Sequence, residues 1–272
     1  MEQETGKISI SVAMGVYNPK DIDALYRAVE SMLNQTETEF EFLIYDDCSE
    51  ALVEQELRCI AQKDARIRLL RGDSNRGLAH ALNECIRQAR GEYIARMDAD
   101  DISALERLKV QKEFLDTNRE YDFVGSNAEL FDDAGIWGEW QMQRIPGKRE
   151  FLRYSPYIHP SVMFRTRVLS DVGGYLETDE TRRCEDYELF MRLCCKGHYG
   201  YNIQENLLAY REDRERFDKR NFRQRMAEVR IRYRGFKAMG MLNLSGMVYA
   251  VKPVVSLVIP GRLRRWIRKK LR

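Results

Sequence analysis

Hydrophobic and polar positions repeat along the first half of the chain as short apolar runs separated by longer amphipathic segments. The apolar runs are rich in β-branched and aromatic residues and predict strands at residues 8–17, 40–45, 67–70 and 93–97. Between them, apolar residues recur three and four positions apart. This spacing predicts helices at residues 21–35, at a segment ending near residue 62, and at 77–89. Four alternations of strand and helix predict an α/β fold with a doubly wound, mostly parallel sheet.

The pattern is less regular after a further predicted helix at residues 104–118. Strands are predicted at residues 123–131, 137–142, 161–164 and 199–211, and helices at 185–196 and 218–239. We therefore divide the chain into an α/β domain, residues 1–215, and a helical, apolar and basic tail, residues 216–272. Doubly wound sheets such as the one predicted for residues 1–118 are typical of nucleotide-binding folds, so this half is expected to bind a nucleotide and residues 119–215 to complete the site.

Composition limits the class of protein. The chain has 272 residues, of which 44% are hydrophobic and 32% charged, as in soluble globular proteins. Its net charge is +2, but residues 262–272 hold seven Lys/Arg, which leaves 38 basic and 43 acidic residues, or −5, elsewhere. Six cysteines without a C-x-x-C pair predict neither a zinc site nor a disulfide framework. The first residues lack the basic start and apolar stretch of a secretion signal, so a cytoplasmic location is expected.

Three carboxylates follow the fourth predicted strand, at Asp98, Asp100 and Asp101. In an open α/β sheet, ligands bind at the carboxyl ends of the strands. Carboxylates packed this closely repel one another, and their hard oxygens suit Mg²⁺ or Mn²⁺. The alternative is that they cap a helix that begins near Ser103.

A second acidic pair, Asp46-Asp47, ends the second predicted strand and should lie on the same rim. Carboxylates accept hydrogen bonds from a base N–H or a ribose hydroxyl, and a divalent ion bridges carboxylates to diphosphate. No glycine-rich phosphate loop is present, so the cation must balance the phosphate charge. The rim therefore suits a nucleotide diphosphate.

Asp186 is a candidate general base. At helical spacing it shares a face with the apolar residues Leu189, Phe190 and Leu193. Loss of water contact there should raise its pKa toward neutrality, as a base requires. Glu185 is expected to point elsewhere, toward backbone or acceptor. The alternative is that both acids only complement the helix dipole.

An ordered set of motifs resembles the family 2 glycosyltransferases of the GT-A fold, over about residues 8–212. The motifs are Val16-Tyr17-Asn18, Asp46-Asp47-Cys48-Ser49, Asn75-Arg76-Gly77-Leu78-Ala79, Asp98-Ala99-Asp100-Asp101, His159 to Arg165, and Glu185-Asp186-Tyr187-Glu188-Leu189 with Arg192. The resemblance implies inverting transfer from a nucleotide-diphosphate sugar, usually a UDP-sugar, with Mn²⁺ or Mg²⁺ as cofactor.

The resemblance also implies residue roles. Tyr17, between Val16 and Asn18, would stack on the base, Asp47 would accept the base N–H, and Asp98 would lie near the ribose. Asp100, or Asp101 in another register, would bind the metal, and Asp186 would be the base. Candidates for phosphate or acceptor contacts are Arg76, His159, Arg165 and Glu185. Each role has a structural alternative. Tyr17 could be a core aromatic residue, Asp47 could form an Asx turn, and Arg76 or Arg165 could form a surface ion pair. Glu212 stands where many relatives have a histidine after Tyr210-Arg211.

The tail suggests a membrane surface as partner. Residues 246–260 are apolar but too short and interrupted to span a bilayer. In residues 262–272, four apolar side chains face seven cations, which is typical of an amphipathic helix on an anionic leaflet. The alternative is an apolar segment packed on the domain with a solvated basic end. Nucleic acid is not expected, because the cations are confined to this tail.

The function predicted from sequence is glycosyl transfer to a saccharide hydroxyl. A lipid-linked acceptor at the inner face of the cell membrane would reconcile a soluble enzyme with the tail. Three other readings stay open: a nucleotidylyltransferase, a metal-dependent phosphohydrolase, and a non-catalytic nucleotide-binding module. A nucleotidylyltransferase normally has a glycine-rich basic segment after strand one, where this chain has Gly15-Val16-Tyr17-Asn18. A phosphohydrolase normally has its nucleophilic aspartate after strand one, whereas the acidic cluster here follows strand four.

Overall fold

A computed structural model describes residues 8–214 and 221–258, with side chains to residue 254. The strands are β1 (Ile10–Val16), β2 (Phe40–Asp46), β3 (Ile67–Arg71), β4 (Tyr93–Arg96), β5 (Ile102–Ser103), β6 (Phe123–Asp132), β7 (Gly135–Trp140), β8 (Met163–Arg165) and β9 (Gly200–Arg211). The helices are α1 (Ile22–Leu33), α2 (Ala51–Ala61), α3 (Leu78–Gln88), α4 (Arg107–Thr117), α5 (Thr166–Val172), α6 (Glu185–Cys195), α7 (Phe222–Ala238) and α8 (Leu244–Val258).

Within the described residues, the nine strands belong to one sheet in the order β3-β2-β1-β4-β8-β6-β9-β5, with β7 paired to β6. The first four strands are parallel. Strand β8 is antiparallel to both β4 and β6, so β6 runs in the same direction as β4. The carboxyl ends of β1, β2, β4 and β6 therefore lie along one edge. The predicted α/β, mostly parallel sheet with C-terminal helices is confirmed.

Apolar layers cover both faces of the sheet. One contains Leu25, Met32 and Phe42, and the other Leu82 and Phe190, all fully buried. At Gly15 of β1 an added Cβ would lie 2.9 Å from the Cβ of Ala81 in α3. Only glycine permits this close approach, which holds the amino end of α3 beside the carboxyl edge.

Two predicted boundaries are wrong for a physical reason. Ile102 and Ser103 pair with β9 instead of opening a helix, and α4 begins only at Arg107. The acidic residues before them therefore do not cap α4. Strand β7 begins and ends two residues before its predicted range, because it forms a tight hairpin with β6 through Asp132 and Gly135.

Helix α7 lies within the predicted range 218–239, and it buries charged side chains. Phe222 and Tyr233 are exposed, whereas Arg225, Glu228 and Arg232 are buried. Glu228 accepts from both arginines, at 3.1 and 3.2 Å, so the buried charges compensate one another. The guanidinium of Arg232 also lies over the ring of Tyr187 in α6. Ion pairing thus allows charged side chains on the buried face of α7.

Helix α8 packs one face on α7 and leaves the other in water. Ala250 is buried with Phe236 and Met239 of the preceding segment. The exposed face carries four apolar side chains at helical spacing: Leu244, Met247, Val248 and Val251. Across residues 8–214 and 221–258, every helix is too short or too polar to cross a bilayer. The basic segment 262–272 lies outside the described residues.

Candidate active site

Asp98, Asp100 and Asp101 form one acidic cluster just beyond the end of β4. One carboxylate oxygen from each of the three lies within 4.8 Å of the other two. Asp101 is buried, Asp98 is half-buried and Asp100 is exposed. Reduced water contact and the neighbouring charge of Asp98 raise the pKa of Asp100. Holding three negative charges together is unfavourable unless a cation compensates them.

Asp101 supports that conclusion most directly. Its Oδ1 accepts the backbone N–H of Arg211 at 2.8 Å. Its Oδ2 is buried without a hydrogen-bond partner among the described residues. Burial and the charges of Asp98 and Asp100 raise its pKa well above the usual range. A buried acceptor without a donor, beside two further carboxylates, fits the oxygen ligand set of Mg²⁺ or Mn²⁺.

Arg96 is a site residue that sequence reasoning missed. Its buried guanidinium lies under the acidic cluster, with Nη1 2.5 Å from Oδ2 of Asp98. Burial disfavours its charge, but the Asp98 carboxylate outweighs that cost and raises the pKa of Arg96. The signal was present, because Arg96 is the only charged residue in the otherwise apolar run 93–97.

Asp47 holds the turn that precedes α3. Its buried carboxylate accepts the backbone N–H groups of Arg76, at 2.9 Å, and Gly77, at 2.7 Å. Gly77 has φ +91°, a conformation that favours glycine. The structure thus gives Asp47 a different partner from the predicted base N–H. A carboxylate oxygen has a second lone pair, so its nucleotide-binding role stays a proposal.

Tyr17 lies between loops that are fixed to each other. Asn18 donates its N–H to the hydroxyl of Ser49 at 3.1 Å and accepts from the Glu50 N–H at 2.8 Å. The carbonyl of the buried Val16 accepts the N–H of Asp47 at 2.9 Å. The side chain of Tyr17 is 51% exposed, so it is not the core residue that the alternative required. Its ring is accessible for stacking.

Arg76 reaches the same rim but forms an ion pair. Its Nη2 lies 3.0 Å from Oε2 of Glu177. Glu177 also accepts from Asn83 at 2.8 Å and pairs with Nδ1 of His80 at 3.0 Å. This network fixes the loop that leads to α6 against α3. A phosphate contact by Arg76 stays a proposal.

The structure does not bring Arg165 to this edge, contrary to the expectation for phosphate. Because β8 is antiparallel to β4, Arg165 lies opposite Tyr93, at the amino end of β4. Its Nε and Nη2 donate to the carbonyls of Tyr121, at 3.1 Å, and Leu115, at 2.6 Å. Arg165 therefore joins α4 to the sheet on the far side.

One cavity of about 1040 Å³ connects the acidic cluster to α6. It is lined by Asp98, His159, Glu185, Asp186 and Tyr210, among others. Glu185 and Asp186, two of the three acids in the first turn of α6, both line this cavity. Contact of Glu185 with an acceptor stays a proposal. Burial raises the pKa of Glu185.

His159 is a neutral hydrogen-bonding group in this cavity. Its Nε2 lies 2.7 Å from the hydroxyl of Tyr175. Burial and the charge of Arg96 lower its pKa well below the usual range. It can contact a ligand as a donor or acceptor but not as a cation.

A mostly parallel α/β sheet with clustered carboxylates at the carboxyl edge of its strands is typical of enzymes that bind ligands at that edge. Residues 11–173 match the model of glycosyl transferase family 2. The chain is 33% identical over 265 residues to the putative glycosyltransferase EpsE of Bacillus subtilis, covering 96% of this chain and 93% of EpsE. The chain belongs to glycosyl transferase family 2 and is a glycosyltransferase.

Another relative is the UDP-Gal:alpha-D-GlcNAc-diphosphoundecaprenol beta-1,3-galactosyltransferase of Escherichia coli. It is 26% identical over 283 residues, covering all of this chain and 98% of the relative. Among solved structures, S. aureus TarS 1–349 in complex with UDP-GlcNAc has a TM-score of 0.70 at 17% identity, covering 94% of this chain and 77% of that one. Mannosyltransferase PcManGT of Pyrobaculum calidifontis, with GDP-Man and Mn²⁺, has a TM-score of 0.61 at 17% identity, covering 96% and 79%. At these identities the structures establish the fold alone.

Proposed function

We propose that this chain transfers a sugar from a nucleotide-diphosphate sugar to a saccharide hydroxyl in cell-surface polysaccharide synthesis, with inversion at the anomeric carbon. One observation carries the proposal: Asp98 of the acidic cluster and Asp186 of α6 line the same cavity. Inverting transfer requires such a pair, since the leaving diphosphate and the attacking hydroxyl stand on opposite faces of the sugar ring. The E. coli relative and the TarS complex favour a UDP-sugar as donor.

Asp186 is proposed to accept the proton of the acceptor hydroxyl. The oxygen of that hydroxyl bonds to the anomeric carbon as the bond between this carbon and the diphosphate breaks. Asp100 and Asp101 would hold Mn²⁺ or Mg²⁺, with Asp98 beside the nucleotide. That ion would stabilise the negative charge on the departing diphosphate. Tyr17 offers an exposed ring to the base, and Arg96 holds Asp98 in place from below. His159 and Glu185 are positioned for acceptor hydroxyls.

The acceptor is proposed to be lipid-linked, at the inner face of the cell membrane. The name of the E. coli relative includes a diphosphoundecaprenol acceptor. Helix α8 has an exposed apolar face, and the sequence after it carries seven cations in residues 262–272. This combination suits an anionic leaflet. Co-sedimentation with vesicles that contain anionic lipid tests this part. Binding should be lost at high salt and in a chain that ends at residue 258, and salt-independent binding would contradict it.

The transfer itself is tested with a soluble acceptor, N-acetylglucosamine α-linked to a diphosphate that carries a short alkyl chain. Wild type, Asp186→Asn and Asp179→Asn are incubated with UDP-galactose, UDP-N-acetylglucosamine or GDP-mannose and Mn²⁺. Asp179 is an exposed control. We expect transfer by wild type and Asp179→Asn only, and a product anomer opposite to that of the donor by proton NMR.

Other outcomes identify the alternatives. Retention of the donor's anomeric configuration would remove the inverting mechanism and the role of Asp186 as base. Release of UMP and sugar 1-phosphate without a glycoside product would favour a phosphohydrolase. Formation of UTP and sugar 1-phosphate that requires added diphosphate would favour a nucleotidylyltransferase. Nucleotide binding without turnover of any donor would favour a binding module.

A further inference from the structure

The active-site cavity extends past Asp98 and Asp186 to a wall of aromatic residues that the proposed chemistry does not use. Trp137 and Trp140 come from the β6–β7 hairpin, and Tyr154 from the segment that follows it. The side chain of Tyr154 is 48% exposed. The chain has only three tryptophans, so two of the three line this cavity. We call Trp137, Trp140 and Tyr154 the aromatic wall.

A β-bulge brings both tryptophans to the same cavity. Residues 137 and 140 are three positions apart, so in a regular strand they would face opposite sides of the sheet. In β7, however, the pairing with β6 shifts register: Ile136 pairs with Phe131 and Gly138 with Leu130, so Trp137 is the extra residue of a β-bulge. Bulges of this kind redirect side chains beside functional sites.

Both rings are held in place before any ligand binds. The Trp140 ring stacks on Tyr210, with the ring centroids 5.0 Å apart and the planes at 28°. The Nε1 of Trp137 donates to the carbonyl of Glu212 at 2.9 Å. Side chains fixed in this way lose little conformational entropy when a ligand packs on them.

The sheet order places the aromatic wall on the acceptor side of the acidic cluster. The loops after β1 and β2, which form the nucleotide rim, lie on one side of β4 along the carboxyl edge. The hairpin after β6 lies on the other side, across β8. A ligand on the wall therefore approaches Asp98 and Asp186 from the side away from the nucleotide.

We propose that the aromatic wall is the subsite for the acceptor's sugar ring, which rests on the proposed transferase function. One face of a pyranose ring presents mostly C–H groups, which pack on aromatic rings, while its hydroxyls point outward and need polar partners. Glu139 and Gln141, which also line the cavity, supply such partners. This mixture suits a sugar ring better than a lipid chain, for which polar side chains would be unfavourable neighbours.

Tryptophan emission measures ligand binding at the wall directly. In a Trp266→Phe background the only tryptophans left are Trp137 and Trp140. With UDP and Mn²⁺ present, the probe is N-acetylglucosamine-α-diphosphate with a short alkyl chain, compared with the same alkyl diphosphate without sugar. We expect a saturable change in emission with the first probe only. An equal change with both probes, or none with either, would overturn the proposal.

Kinetics of the full-length enzyme provide a second test. Replacing Trp140 by Ala should raise KM for the saccharide probe at least 10-fold, with kcat and UDP affinity within twofold of wild type. Trp140→Phe should recover most of the loss, because it keeps a ring beside Tyr210. Tyr199→Ala, an exposed aromatic residue next to β9, is the matched control. Unchanged KM in Trp140→Ala with normal transfer would overturn the subsite and leave the transferase function intact. A sugar-dependent change in tryptophan emission without sugar transfer would support the subsite and contradict the transferase function.

Discussion

Replacing the buried Asp101 by Asn should change the melting temperature in opposite directions without and with a divalent metal ion. The pKa of Asp101 in the folded protein lies above the unfolded value, so ionising it costs stability as pH rises from about its ordinary value of 3.8. In Asp101→Asn that cost is gone, while the amide oxygen can still accept the Arg211 N–H. Without divalent ions at pH 7, the variant should therefore melt at a higher temperature than wild type, and the difference should vanish below about pH 4.

Added Mn²⁺ should reverse this order. A ligand at 100 times its Kd stabilises the folded state by about 2.7 kcal/mol. For 272 residues, an unfolding entropy of about 2.1 cal/mol/K per residue converts this into a rise in Tm of about 5 °C for wild type. Asp101→Asn lacks one of the three carboxylates and should rise much less at the same concentration.

Differential scanning fluorimetry with EDTA, then with Mn²⁺, measures both effects. Asp179→Asn, an exposed aspartate outside the cavity, should follow wild type in both conditions. Equal Mn²⁺ shifts in wild type and Asp101→Asn, or a lower Tm of the variant in EDTA, would refute the reasoning.

Three further predictions concern single side chains. Replacing Arg96 by Met removes the ion-pair partner of Asp98 and should lower the free energy of unfolding, measured in urea with EDTA, by about 3–5 kcal/mol. Added Mn²⁺ should restore part of this loss. An unchanged free energy of unfolding would contradict the stabilising role of Arg96. Replacing Glu185 by Gln removes a half-buried charge whose raised pKa costs stability above about pH 4.5, and should raise Tm at pH 7 but not at pH 4. Cys48 has φ +64°, so Cys48→Gly should stabilise by up to about 1 kcal/mol, whereas Cys59→Gly in the exposed face of α2 should cost about 1 kcal/mol; equal effects would argue against backbone strain at residue 48.

The periodic first half of the chain predicts the fold well because local pattern and tertiary structure agree there. Strands β1 to β4 are buried and apolar, and the helices between them are amphipathic, so each element is specified by its own residues. Errors arise where a distant segment decides the structure. Ile102 and Ser103 become a strand only because β9 is beside them.

The acidic residues of the candidate site can be predicted from the sequence, but the groups that contact them cannot. Asp98, Asp100, Asp101 and Asp186 are evident from spacing and motif order, because clustered carboxylates after a strand are unusual. Their surroundings depend on chain segments far apart in sequence, such as the Arg211 N–H at Asp101. Arg165 was expected near the phosphates because it belongs to the His159 to Arg165 motif. Antiparallel pairing of β8 with β4 places it instead at the opposite edge of the sheet.

The aromatic wall could not be found from sequence for the same reason. Strand periodicity places Trp137 and Trp140 on opposite faces, and only the irregular pairing with β6 brings them together. Similarly, the ion pairs of Glu228 place Arg225 and Arg232 on the buried face of α7. In both cases the outcome depends on a register or a contact that no local pattern encodes.

Sugar transfer by a carboxylate pair across one cavity is tested most directly by comparing UDP affinity and donor turnover in Asp186→Asn, in the presence of Mn²⁺. Isothermal titration and single-turnover kinetics on the same preparation give both values. We predict UDP affinity within twofold of wild type and turnover lower by about 10²–10⁴, the usual contribution of a general base. Turnover equal to that of wild type, at equal UDP affinity, would contradict the central role given to Asp186.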